Sequence, residues 1–196
     1  MKLSEVVCKA FIFLGIGVVV LSIAPRLLSR VNMQLGDSQN KKRFEEQIEA
    51  NKDKPVELDH GDIKWELIIP QIDLDYYVYH NEQDNYYLHR DEYGNDSMYG
   101  QLYFNNNEPD VIYGHNMKDN TMFGRLDELY EGCAITLKDM TYSDCKTYNY
   151  RVVTTKAVGA NEVYSYLSTV DYDKALVTCN PTHDKGRLVI VLKEVE

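Results

Sequence analysis

The chain has 196 residues, enough for one domain with a substantial core and too few for two ordinary domains with their connections. Its formal charge is −10, from 21 Lys and Arg against 31 Asp and Glu, and no basic stripe with interleaved aromatics is present, which argues against nucleic acid as a partner. Cysteines at 8, 133, 145 and 179 form no Cys-x-x-Cys pair and have no histidine at ligand spacing, which argues against structural zinc, while sixteen Tyr against five Phe and one Trp lean toward β structure.

The first thirty residues carry Lys2, Lys9, Arg26 and Arg30 against Glu5, so the net +3 there leaves −13 on the rest. Within them, residues 10–25 read AFIFLGIGVVVLSIAP, sixteen uncharged residues whose apolar character continues through Val6, Val7, Leu27 and Leu28. A hydrocarbon core needs about 20 residues, with a lower limit near 17, and flanking Lys and Arg snorkel to the interface. Residues 1–30 are therefore expected to be a single-pass membrane anchor. Ser22-Ile23-Ala24 offers a signal-peptide cleavage site as the alternative, disfavoured by Pro25 directly after it. Residues 31–60 are polar, with a helical stretch around Lys41 to Asn51 stopped near Pro55, and read as a stalk that holds residues 61–196 off the membrane.

Beyond Gly61 short β-like runs alternate with turn residues: Trp65–Ile69, Tyr76–Tyr79, Tyr99–Phe104, Val111–Tyr113, Ala134–Leu137, Tyr148–Val158, Ala175–Thr178 and Leu188–Leu192. Helix is expected only at Met122–Tyr130 and Glu162–Leu167. Eight short strands with so little helix predict a mostly-β, closed or nearly closed barrel. Cys133 and Cys145 either bridge a hairpin or are two ordinary thiols, with free thiols favoured.

Three strand ends carry chemistry. Ala175-Leu176-Val177-Thr178-Cys179 is broken at once by Asn180-Pro181, which holds a thiol rigidly at a strand terminus. Asp110-Val111-Ile112-Tyr113-Gly114-His115-Asn116 reads as a short strand that ends on a histidine, the side chain that ordinarily titrates closest to neutrality. Gly186-Arg187 opens the last strand eight residues after Cys179 and brings a permanent cation toward the thiol if the two strands are neighbours. Each signal alone has an ordinary structural reading.

Together they resemble the sortase family, over roughly Trp65 to the C-terminus and including the anchor. Ala175 to Cys179 is similar to that family's Thr-Leu-x-Thr-Cys signature, with Ala175 in place of its leading Thr. The stretch Tyr113 to Gly124, with Asp84 to His89 and Gly100 to Phe104, resembles class B members in particular. Class B members carry a longer helical insertion before the cysteine strand; here only about Gly159 to Lys174 is available, so the groove wall it forms is expected to be smaller. The resemblance implies an eight-stranded sortase barrel and a cysteine transpeptidase in which Cys179 is the nucleophile, His115 the proton-transfer group and Arg187 the oxyanion stabiliser. It also implies a peptide groove at Thr178, Asn85, Leu88, Tyr113 and Asn116. The implied partners are secreted proteins bearing a C-terminal sorting signal, cleaved after Thr, and a peptidoglycan-precursor or pilin lysine amine as acceptor. No metal or organic cofactor is required. The expected place is the cell membrane, with the catalytic domain outside.

His183 rivals His115 by proximity to Cys179 but lacks the Tyr-Gly-His-Asn setting; His60, His80 and His89 read as surface or stalk residues. Two other functions stay open: a cell-envelope cysteine endopeptidase, although papain-like chains place Cys before His, and a non-catalytic anchored binding module. The latter predicts that Cys179, His115 and Arg187 do not converge.

Overall fold

The computed structural model describes residues 27–28, 31, 35, 38–51, 56–57, 61–180 and 185–195. The apolar segment 10–25, Cys8, His60 and His183 lie outside them, and no described helix is long and apolar enough to cross a membrane. All eight expected strands form: β1 (Ile63–Ile69), β2 (Leu74–His80), β3 (Leu102–Asn105), β4 (Glu108–Tyr113), β5 (Ala134–Asp139), β6 (Thr147–Gly159), β7 (Lys174–Cys179) and β8 (Gly186–Val195). They close a barrel in the order β1-β2-β3-β4-β7-β8-β6-β5. β3 starts three residues later than expected. Gly100 has φ +58, outside strand conformation, and a Cβ there would collide with the carbonyl oxygens of Tyr87 and Leu88.

Strand parity sorts the side chains. One buried cluster draws on every strand, with Leu67, Ile69, Val78, Leu102, Ile112, Ile135, Leu137, Val152, Leu176, Ile190 and Leu192, and fills the barrel interior. The alternate residues face outward and form two smaller clusters. Val111, Ala175, Val177, Val189 and Val191 are covered by Val163 and Leu167 of a short helix, α2 (Val163–Leu167), which occupies the expected position. Tyr77, Tyr79, Tyr87 and Tyr103 gather around Phe44 and Ile63 on the other side.

Two pairings are parallel, β2 with β3 and β4 with β7. Parallel neighbours need long crossovers. The first crossover carries the 3-10 turn Tyr86–His89, and the second carries the β5–β6 hairpin and α2. Both lay chain across the outer face near the open ends of β4 and β7.

Two expectations are corrected. The helix expected within the polar segment forms, as α1 (38–50), but it packs on the barrel where a solvated spacer was expected. Phe44 is 1% exposed and meets the Tyr77 ring edge-on at 5.2 Å, and Lys41 reaches Asp75 at 2.6 Å and Glu66 at 3.4 Å. One buried Phe contributes about 2 kcal/mol, and half-buried Ile48, one helical turn further on, extends the same apolar face of an otherwise polar helix. The second concerns Met122–Tyr130, where only Leu126–Glu128 is helical, as a 3-10 turn. Met122 has φ +49 and bridges to Asn116, a backbone that cannot propagate a helix. Cys133 and Cys145 are free thiols, the first buried.

Candidate active site

The antiparallel register of β7 and β8 places Cys179 directly opposite Arg187. Residues directly opposite project their side chains to the same face. That face is the outer one, since Val177 and Val189, two residues inward on each strand, belong to the cluster under α2. α2 covers those valines and ends its cover short of the strand termini, so Cys179 is exposed and Arg187 half-buried.

β4 brings the histidine. Its parallel register sets Tyr113 beside Val177, the Gly114 N–H donates to the Val177 carbonyl at 3.2 Å, and the Thr178 hydroxyl donates to the Gly114 carbonyl at 2.8 Å. Gly114 is required here, because a Cβ would clash with the Leu102 and Phe123 side chains. Contrary to the expected strand end on the histidine, β4 stops at Tyr113, and His115 stands two residues beyond it, tied by its carbonyl to the Phe123 N–H at 2.9 Å. The Asn116 side-chain amide donates to the Cys179 carbonyl at 2.9 Å, a third tie between the two chain segments.

A cleft of about 490 Å³ opens over these strand ends, lined by Cys179, His115, Arg187, Thr178, Asn85, Leu88 and Tyr113. Cys179, His115 and Arg187 therefore share one cleft, the convergence that a binding module would lack. Asn116 stands apart from that lining and Thr178 is 2% exposed, so their polar groups hold β4 and β7 together. Sequence reasoning passed over the rest of the wall: Tyr103, Asn105 and Glu108 on one side, Asn161, Val163 and Tyr164 on the other. Only the β3–β4 pairing, which sets Tyr103 opposite Tyr113, could have nominated the first group, and that pairing leaves no local mark in the chain.

Polar groups of this wall are interlocked. The Tyr113 hydroxyl donates to Glu108 at 2.7 Å and the Tyr103 hydroxyl to the Asn85 side-chain oxygen at 3.0 Å, the two rings stacking at 5.7 Å. Asn85 sits at φ +58, a conformation Asn tolerates better than most residues, and its N–H donates to Asn105. Burial pushes the Tyr103 phenol up to about 12, against the opposing pull of the Arg187 guanidinium. Burial and the Glu108 carboxylate push Tyr113 up as well, so both phenols are neutral donors at physiological pH.

The His115 ring donates from Nε2 to the Leu88 carbonyl at 2.7 Å. A carbonyl only accepts, so Nε2 keeps its proton and Nδ1 is the nitrogen that gains and loses one. Burial lowers the affinity of this imidazole for its second proton, the Leu88 bond opposes that, and the neighbouring His89 lowers it further. His89, read from sequence as a surface residue, stacks on His115 with ring centroids 5.3 Å apart.

The family model for the Sortase domain matches residues 67–195. No curated relative matches the sequence. Among solved structures the chain is similar to a Staphylococcus aureus sortase B–substrate complex (TM-score 0.60, 16% identity, covering 85% of this chain and 96% of that one). It is also similar to sortase B of Clostridium perfringens (0.59, 20%, 70% and 96%) and to sortase A of Listeria monocytogenes (0.50, 22%, 69% and 88%). At these identities the likeness is one of fold.

Proposed function

The chain belongs to the sortase family, a family of cysteine transpeptidases, and from that premise we propose that Cys179 is its nucleophile, His115 its proton-transfer group and Arg187 its oxyanion stabiliser. The observation that carries this reading is the meeting of the three side chains in one cleft, with Cys179 and Arg187 as cross-strand partners.

In this mechanism the Cys179 thiolate attacks the carbonyl carbon of the Thr that ends a sorting motif. Charge gathers on the carbonyl oxygen as the tetrahedral centre forms, and the Arg187 guanidinium, fixed at the mouth of β8, stabilises it. The leaving amine takes its proton from Nδ1 of the His115 imidazolium, and a Cys179 thioester remains. An incoming amine attacks the thioester, gives its proton to Nδ1, and leaves as a new amide while the thiolate is regenerated. Nε2 stays bonded to Leu88 throughout, so the ring keeps its orientation across both half-reactions.

The groove floor and walls suit an extended peptide. Asn85 and Asn105 offer amide groups on one side and Val163 and Tyr164 offer apolar surface on the other, with Leu88 and Tyr113 near His115. Asn116 and Thr178 shape the groove from beneath by fixing the ends of β4 and β7. The short α2 makes a low wall, in keeping with a class B relative that has a reduced insertion. The acceptor is a peptidoglycan-precursor or pilin lysine amine. The uncharged run at residues 10–25 anchors the protein in the cell membrane with its barrel outside, where sorting signals and acceptor amines meet.

The test uses the full chain in detergent with fluorogenic peptides bearing Asn-Pro-x-Thr or Leu-Pro-x-Thr, with and without an amine acceptor. Cleavage after Thr, conversion to an amide when the amine is present, and loss of both in Cys179→Ala are expected. Cleavage that persists in Cys179→Ala, or that never yields the amide, overturns the reading.

A further inference from the structure

Resting on the reading of His115 as the proton-transfer group, we propose that His89 is its positioning residue, a second imidazole stacked on the first that fixes the ring's orientation in the cleft. Two contacts from one 3-10 turn grip His115. The Leu88 carbonyl holds its Nε2 edge at 2.7 Å, and the His89 ring lies against its face at 5.3 Å between centroids and 30° between planes. A single hydrogen bond leaves a ring free to swing about the bond axis. A flat partner against one face removes that freedom.

The turn is built to serve as a fixed point. The Gln101 N–H donates to the Tyr87 carbonyl and the Ser97 N–H to the His89 carbonyl, both at 2.9 Å. The buried Tyr87 ring packs on Tyr79 at 4.8 Å, and its hydroxyl donates to Asp62 at 2.7 Å. Gly100 lets the chain pass against the carbonyls of Tyr87 and Leu88.

The stack also has an electrostatic consequence. The titratable and charged groups around the cleft are Tyr103, Tyr113 and Glu108 from β3 and β4, Tyr164 from α2, Cys179 from β7, Arg187 from β8, and His89 from the turn. Among them His89 is the one whose charge acts directly to lower proton affinity at His115, after burial and against the Leu88 bond. His89 is exposed to water. Two stacked imidazolium rings repel, so removing His89 frees the His115 ring and raises its proton affinity at once.

The experiment compares the full chain with His89→Ala, which removes both plane and charge, and His89→Phe, which keeps a plane. Peptide transfer is followed across pH, and the His115 ring is titrated by NMR on histidine-labelled protein, with His115→Ala as reference. His89→Ala is expected to lower kcat about tenfold with KM within about twofold and to move the His115 midpoint upward, while His89→Phe returns kcat to within about threefold of the parent. Unchanged kcat and midpoint in His89→Ala overturn the proposal, as does a Phe variant with unaltered melting that is as slow as the Ala variant. If His115→Ala retains transfer, the reading of His115 fails instead, whatever the His89 variants do.

Discussion

On β7, Leu176 points inward and is fully buried with Ile112 and Ile190, whereas Cys179, on the outward parity of the same strand, is exposed opposite Arg187. The two faces differ along the whole barrel. The interior is dominated by aliphatic side chains shared by all eight strands, while the outer side gathers Tyr77, Tyr79, Tyr87, Tyr103 and Tyr113, of which the last three donate their hydroxyls to Asp62, Asn85 and Glu108 respectively. A period of two lets one strand supply the core and the chemistry without compromise between them. The closed barrel fixes the strand ends, and Cys179 and Arg187 occupy the first outward positions that the covering helix leaves bare.

The comparison breaks if an outward substitution at the cleft costs stability, or an inward one alters chemistry. The largest expected effect is that of Cys179→Ala, which lowers transfer by about 10⁴-fold or more with no change in melting temperature, measured by peptide turnover and thermal denaturation side by side. Arg187→Lys follows, with a loss of about 10²-fold in kcat, because a point charge cannot replace the planar fork at the oxyanion; an active Lys variant would assign Arg187 to bulk electrostatics. On the inner face, Ile190→Ala is expected to lower unfolding free energy by about 3 kcal/mol in denaturant titrations while leaving kcat of the folded fraction intact.

Thr178→Val sharpens the boundary between the faces. It deletes the bond to the Gly114 carbonyl beneath the cleft, costing about 1 kcal/mol of stability and a few-fold in kcat, since Gly114 precedes His115. The smallest effect is on pH dependence. Burial holds the His115 imidazole below its ordinary value of 6.5, so the unfolded chain binds that proton more readily than the folded one. Stability should therefore rise as pH climbs through the window between the lowered folded value and 6.5 and be flat above it. His115→Gln should erase that slope, and an unchanged slope would assign it to another group.

Strand identity was legible because alternation and β-branched runs record which residues are buried. Ala175 to Thr178 and Leu188 to Leu192 were readable as strands before any pairing was known. The short α2 was readable for a similar reason, since Val163 and Leu167 lie one helical turn apart. The docking of α1 was not, because a stripe of only two large apolar residues, Phe44 and Ile48, in a largely polar helix looks the same on a solvated spacer as on a packed one. The φ +49 at Met122, which stops the expected helix, depends on a bridge to Asn116 that no local pattern announces.

By itself the sequence determined that the chain is a barrel of eight short strands, that Cys179 and Arg187 stand at strand ends, and that the motif they share with His115 is that of a cysteine transpeptidase family. Only the tertiary structure decided which residues complete the cleft. Tyr103 and Glu108 arrive through the β3–β4 pairing, Val163 and Tyr164 through the crossover to β7, and His89 through a turn that lies 26 residues before its partner in the chain. The physical reason is that alternation reports burial strand by strand, whereas strand order and register are set by closure of the whole barrel, which no local segment encodes.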